Sequence, residues 1–147
     1  MWEKLTQTFF KKNNVPSAPP AVILFVDDNE IARKMISRTL ARKHYRVLLS
    51  DNGEKGLEIA RTEKPDLILL DIVLPGINGI EVCKRLKNDP ATQDIPVLFL
   101  TGSDTPQNIL DCYEFGAENY LNKSIGAGAL LSQIDMTLKE RKFFADT

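Results

Sequence analysis

A doubly wound α/β sheet of five parallel strands, with helices on both faces, is the fold class this sequence predicts. Two observations predict it. Short apolar runs alternate along the chain with longer segments of helical period. The runs are also continuous rather than alternating, as strands buried on both faces require. Val22-Ile23-Leu24-Phe25-Val26 is the first run, and residues 29–43 follow as a helix carrying Ile31, Met35, Ile36 and Leu40 on one face. Residues 46–49 read as the second strand. Asp51 or Asn52 caps the next helix, which runs to about Glu63 and is stopped by Pro65. Leu67-Ile68-Leu69-Leu70 is the third strand, and Ile80, Cys83 and Leu86 mark the third helix. Pro96 introduces the strand Val97-Leu98-Phe99-Leu100. Ile109, Leu110 and Tyr113 lie on the helix after it, which Gly116 closes. A short strand over residues 119–121 leads to a last helix bearing Leu130, Leu131, Ile134 and Leu138. Short connections and right-handed crossovers leave few windings for such a chain, and the flavodoxin-like order 2-1-3-4-5 is the one expected.

At 147 residues, 43% of them hydrophobic, the chain has material for one buried core and too little for two ordinary domains. Residues 21–142 are expected to form it. Residues 1–20 differ in texture: Trp2, Leu5, Phe9 and Phe10 recur at helical spacing, and a Pro-rich linker containing Pro16, Pro19 and Pro20 follows. Residues 143–147 are expected as a C-terminal tail. Nineteen basic against twenty acidic residues give a formal charge of -1, which argues against a sequence-independent nucleic-acid binder. Cys83 and Cys112 have no CxxC spacing and read as reduced core thiols, and no apolar run approaches the length of a membrane span. A cytoplasmic protein is expected. His44, the only histidine, falls at the end of the first helix, where attraction to the helix dipole explains it.

In an open parallel sheet, ligands bind beyond the carboxyl ends of the strands, where strand order reverses. Asp27 and Asp28 end the first strand, Asp71 the third and Thr101 the fourth, and Lys123 follows the fifth. Crowded carboxylates repel one another unless a cation neutralises them, so the set predicts a hard divalent ion, with Mg2+ the natural candidate. A carboxylate so placed can attack phosphorus and form an acyl phosphate, with catalysis resting on positioning and charge neutralisation. Asp71 is the best nucleophile by position. Lys123 would bring positive charge to the phosphoryl oxygens, and the Thr101 hydroxyl would donate to another of them. A lone strand-end aspartate is as readily a turn former or helix cap; the argument rests on all five positions together.

The motifs Phe25-Val26-Asp27-Asp28, Leu69-Leu70-Asp71 with Leu74-Pro75-Gly76-Ile77-Asn78-Gly79, Leu100-Thr101-Gly102, and Gly116-Ala117-Glu118-Asn119-Tyr120-Leu121-Asn122-Lys123 stand in this order. On these residues the chain resembles the receiver domain family of two-component response regulators, in its single-domain, chemotaxis-regulator-like form, over about residues 21–142. The resemblance implies that Asp71 accepts phosphate from a sensor histidine kinase or a histidine phosphotransfer protein. It implies direct Mg2+ ligation by Asp28, Asp71 and the backbone carbonyl of Val73, with Asp27 acting through water. It further implies a switch in which Thr101 moves toward the phosphoryl group and Tyr120 turns inward, carrying the signal to the face of the fourth helix, fifth strand and fifth helix. Ser124 departs from the pattern, since the family usually has proline after the lysine; a non-proline cis bond costs about 3 kcal/mol, so the family's cis bond is not assumed here, and the reach of Lys123 and the tightness of its loop stay open. The glycines of Ile125-Gly126-Ala127-Gly128 suggest a loose start to the last helix.

No effector domain is expected after the receiver, so output is expected through contact with a downstream protein or relay of the phosphoryl group. The aromatic stripe near the N-terminus and Phe143-Phe144 suit docking on the domain, a protein partner or a homodimer. Three other readings compete. An aspartyl-nucleophile phosphatase needs a second carboxylate two residues after the nucleophile, where Val73 stands. A flavin or nucleotide binder would set phosphate against Asp27 and Asp28. A non-phosphorylated pseudo-receiver acting only as an interaction module would have no use for the complete acidic set.

Overall fold

The computed structural model describes residues 18–103 and 105–145, the last two by their backbone alone. The stripe at residues 2–10 therefore lies outside the described residues, as does the side chain of Phe144. Among the described residues five strands and five helices alternate: β1 (Val22–Val26), α1 (Glu30–Ala41), β2 (Arg46–Ser50), α2 (Gly53–Glu63), β3 (Leu67–Leu70), α3 (Gly79–Asn88), β4 (Val97–Thr101), α4 (Pro106–Glu114), β5 (Asn119–Asn122) and α5 (Ala127–Ala145). The strands pair in parallel in the order β2-β1-β3-β4-β5, as the sequence predicts.

Period-two alternation divides the sheet into two apolar faces. Leu24, Val26, Ile68, Leu70, Val97 and Phe99 pack with Ala60 of α2, Val82, Cys83 and Leu86 of α3, and Cys112 of α4. Ile23, Phe25, Leu67, Leu69, Leu98 and Leu100 pack on the other side with Leu40 of α1 and with Leu130 and Ile134 of α5. Both cysteines are wholly buried, in agreement with their reading as core thiols.

Each of the first four helices opens at a strand's carboxyl end with a side-chain cap. Asn29, Asn52, Asn78 and Thr105 accept hydrogen bonds from the backbone N–H groups of Ala32, Lys55, Glu81 and Asn108. Of the two cap candidates near residue 52, Asn52 is the one used. Gly116 follows α4 at φ +97°, a backbone that glycine adopts without steric cost. His44 sits beyond α1 at φ 63°, its N–H bonded to the carbonyl of Ala41, so it is a turn residue rather than part of the helix.

Three expectations need correction. Ile31 and Met35 do not face the sheet: they are 69% and 62% exposed, while Leu40 is buried and Ile36 packs against the core. The residues of α1 that pack on the core are Ile36 and Leu40, one position around the helix from 31 and 35. Leu110 and Tyr113 likewise point outward from α4, whose buried residue is Cys112. Finally, α5 does not stop near residue 142. Lys139-Glu140-Arg141-Lys142 are good helix formers, and the helix continues through Phe143 to Ala145.

Candidate functional site

Backbone hydrogen bonds beyond the strand ends gather the polar residues at one edge. The N–H of Asp27 donates to the carbonyl of Ser50, that of Asp71 to Val26, and that of Lys123 to Thr101, each at 3.0 Å. Each residue is thereby fixed to a neighbouring strand one step past the end of its own. Asp27, Asp71 and Lys123 also share the alternation phase of Phe25, Leu69 and Leu121, whereas Thr101 is in phase with Phe99. The first three are therefore aimed to one side of the sheet edge.

They meet there. Lys123 Nζ lies 2.8 Å from Asp71 Oδ2 and 2.8 Å from Asp27 Oδ2. Asp27 is completely buried and Asp71 nearly so, while Asp28 is exposed beside them. The other oxygen of Asp27 accepts the Asn29 N–H at 2.9 Å, and the Arg33 guanidinium donates to the Asp27 carbonyl at 2.7 Å. Burial alone would lower the pKa of Lys123, but hydrogen bonding and charge from Asp27 and Asp71 outweigh it and hold the ammonium above its ordinary value. Lys123 is thus fully charged at neutral pH.

Carboxylate oxygens of Asp27, Asp28 and Asp71 all lie within 4.8 Å of one another. Asp27 Oδ2, fully buried, has the Lys123 ammonium at 2.8 Å and no other hydrogen-bond donor among the described residues. An all-oxygen donor set with an under-satisfied buried carboxylate fits a hard divalent cation such as Mg2+, and no histidine or cysteine joins it among the described residues. The cluster opens into a cleft of about 380 Å³ lined by Asp28, Asn29, Asp71, Val73, Thr101, Gly102, Ser103 and Lys123. Val73 is exposed at its rim, and its N–H makes a long contact of 3.4 Å with Asp71 Oδ1.

Thr101 is buried, its Oγ accepting the Ser103 N–H at 3.2 Å. Tyr120 pairs with Phe99 across β4 and β5 and packs against the core, its hydroxyl donating to the Ser103 carbonyl. Ser103 thus joins Thr101 to Tyr120. Sequence reading missed this residue, and no residue-type signal marks a role exercised through backbone atoms. It also did not assign Gly79 a role. A Cβ there would stand 1.9 Å from the Asp71 carbonyl oxygen, so only glycine lets α3 begin against the Asp71 loop.

After Lys123 the peptide is trans, there being no cis bond among the described residues. Asn122 Oδ1 instead accepts both the N–H and the hydroxyl of Ser124, at 2.8 and 2.7 Å. Lys123 reaches both acids without a proline after it.

A doubly wound parallel sheet with an acidic cluster and a bridging lysine beyond the ends of β1, β3 and β5 defines a receiver-type α/β domain. Comparison with known proteins agrees: the model of the response regulator receiver domain family matches residues 23–135, and the chain belongs to that family. Protein PilH of Pseudomonas aeruginosa is 36% identical over 118 residues, covering 80% of this chain and 98% of that protein. The phosphate regulon transcriptional regulatory protein PhoB of the same species is 38% identical over 117 residues, covering 80% of this chain and 51% of PhoB. The chain thus spans about half the length of PhoB, and likewise of the transcriptional regulatory protein AfsQ1 of Streptomyces coelicolor. Among solved structures, a CheY-like receiver domain protein from Methanospirillum hungatei superposes with TM-score 0.80 at 25% identity, covering 84% of this chain and 97% of that one. Chemotaxis protein CheY4 of Vibrio cholerae gives 0.75 at 28% identity, covering 80% and 98%. No helix among the described residues is long and apolar enough to cross a membrane.

Proposed function

We propose that this protein is a phosphorylation-operated switch in which Asp71 accepts a phosphoryl group from a sensor histidine kinase or a histidine phosphotransfer protein. The observation that carries this reading is the placement of one ammonium 2.8 Å from both Asp27 and Asp71 in a cluster of three carboxylates. An oxygen of Asp71 attacks phosphorus; the bond from phosphorus to the donor's imidazole nitrogen breaks, and the imidazole leaves. Lys123, charged and already at Asp71, pairs with the oxygens of the incoming phosphoryl group. Asp28, Asp71 and the Val73 carbonyl would hold Mg2+ directly, and Asp27 through water. The ion would supply neutralisation of the acids and of the incoming phosphoryl charge.

The Thr101 hydroxyl is the second donor to the phosphoryl group. Its movement loosens the contact with the Ser103 N–H, and Ser103 in turn holds the Tyr120 hydroxyl. Tyr120 thereby couples Asp71 to the α4-β5-α5 face, where Leu110 and Tyr113 are exposed for a downstream protein target. In this reading the receiver begins near residue 21 and includes α5 to its end, and the chemistry is limited to self-phosphorylation and autodephosphorylation rather than turnover of free substrates. Incubation with a small phosphodonor and Mg2+ tests it. An alkali-labile adduct that Asp71→Asn abolishes is the expected result; turnover of many phosphoesters, or bound flavin, would favour the rival readings.

A further inference from the structure

The turn that carries Lys123 has a restraint of its own. On its amino side Lys123 is fixed by the hydrogen bond from its N–H to Thr101. On its other side, the Ile125 N–H closes a turn onto the Asn122 carbonyl at 2.9 Å, and Asn122 Oδ1 holds the Ser124 N–H and hydroxyl. Beyond the turn, Ile125 packs partly buried against the core, and the glycines after it are open to solvent. A Cβ at Gly126 or Gly128 would meet nothing within 4 Å, and α5 opens on the Gly126 carbonyl, which accepts the Leu130 N–H. The lysine stem has four rotatable carbons, so only a fixed Cα lets its ammonium stand between two carboxylates rather than sample the cleft.

We propose that Asn122 is a positioning residue for phosphorylation: by clipping Ser124 it fixes the Lys123 backbone, and so the ammonium that meets the phosphoryl group. This inference rests on the role given to Lys123 above. Asn122 itself touches neither Asp27 nor Asp71 among its described contacts, so its effect passes through the turn. Both contributions come from this chain's own Asn-Lys-Ser sequence: an amide oxygen able to accept twice, and a serine offering two donors.

The test measures two affinities on the full chain, for Mg2+ alone and for beryllofluoride in saturating Mg2+, the latter as a phosphoryl mimic. Asn122→Ala is expected to weaken beryllofluoride binding about tenfold, as small misplacements of a binding group do, with Mg2+ affinity unchanged within about twofold. Asn122→Ser, which restores a side-chain acceptor in the same turn, should recover binding to within about threefold. Ser124→Ala, which keeps the N–H donor, should fall between. Beryllofluoride affinity unchanged in Asn122→Ala, or lost in parallel with Mg2+ affinity and thermal stability, overturns the proposal. A Lys123→Ala arm separates the two levels. If that variant binds beryllofluoride weakly while Asn122→Ala binds normally, only the clip is wrong; if Lys123→Ala also binds normally, the role of Lys123 fails and the clip with it.

Discussion

Gly79 and Asp71 stand closer than any side chain at position 79 would allow. A Cβ on Gly79 would lie 1.9 Å from the Asp71 carbonyl oxygen, 2.8 Å from the carbonyl carbon and 2.9 Å from the Ile72 Cα, all of them backbone atoms that cannot swing away. The Gly79 N–H also closes this loop onto the Ile72 carbonyl at 2.8 Å. Gly79→Ala should therefore destabilise the fold by about 2–3 kcal/mol, the upper range of overpacking, and displace the Asp71 loop. Gly128→Ala is the contrast, since open space surrounds that helical position; it should be neutral or stabilise by up to about 1 kcal/mol. Urea midpoints of the two variants check both expectations.

Asp27, Asp28 and Asp71 repel one another, and a single lysine balances two of them. A divalent cation that binds only the folded cluster should raise stability by about 2.7 kcal/mol at a hundred times its dissociation constant. Thermal melts with Mg2+ and with chelator should differ accordingly, and the difference should vanish in Asp28→Asn/Asp71→Asn. Lys123→Ala should slow phosphorylation by about a hundredfold while sparing Mg2+ affinity. A large loss of metal affinity in that variant would contradict the assignment.

Burial pushes the Cys83 thiol up to about 11, with Lys87 partly offsetting it and Glu118 adding to it; burial, then the neighbouring Cys83, pushes Cys112 up to about 12. Both stay protonated in the native state at pH 8, so native protein should resist alkylation there while denatured protein reacts. The unfolded thiols ionise near 9.0 and the folded ones well above it, so their contribution to stability is full below that pH. It is lost as pH rises from there through about 11. Denaturant midpoints taken across this window should fall, and the fall should shrink in Cys83→Ala/Cys112→Ala.

Ile31 and Met35 leave apolar side chains on α1, whose first turn follows directly from Asp28 and the Asn29 cap. Exposed apolar residues on the helix that begins beside Asp28 suit, in the function proposed above, contact with the protein that delivers the phosphoryl group. Ile31→Ser/Met35→Ser should change stability by less than about 0.5 kcal/mol per site. It should slow transfer from a histidine-phosphorylated protein and leave the rate with a small phosphodonor unchanged. Parallel rate measurements with the two donors check this.

The strand order and the strand-end positions of Asp27, Asp71 and Thr101 were legible because β1, β3 and β4 are unbroken apolar runs whose first polar residue marks the sheet edge; Lys123 follows the mixed strand Asn119–Asn122, and its place was legible only beside the other four. Helix rotation was less legible. On α1, Ile31, Met35, Ile36 and Leu40 make a plausible stripe, and only contact with the sheet shows that Leu40 is buried and Ile36 packs beside it while the other two face outward. The end of α5 was missed for want of a breaker after Leu138. Ser103 acts through backbone atoms, and Asn122 through a turn that exists only once Ser124 folds back on it. Such roles belong to geometry, not to residue type.

The most direct measurement is to phosphorylate the full chain with a small phosphodonor in Mg2+, trap the acyl phosphate by reduction, and locate it by peptide mass spectrometry. The trapped product should map to Asp71, with none at Asp27 or Asp28 and none formed in chelator. Modification of another residue, or a chain that binds Mg2+ and remains unmodified, would contradict the account.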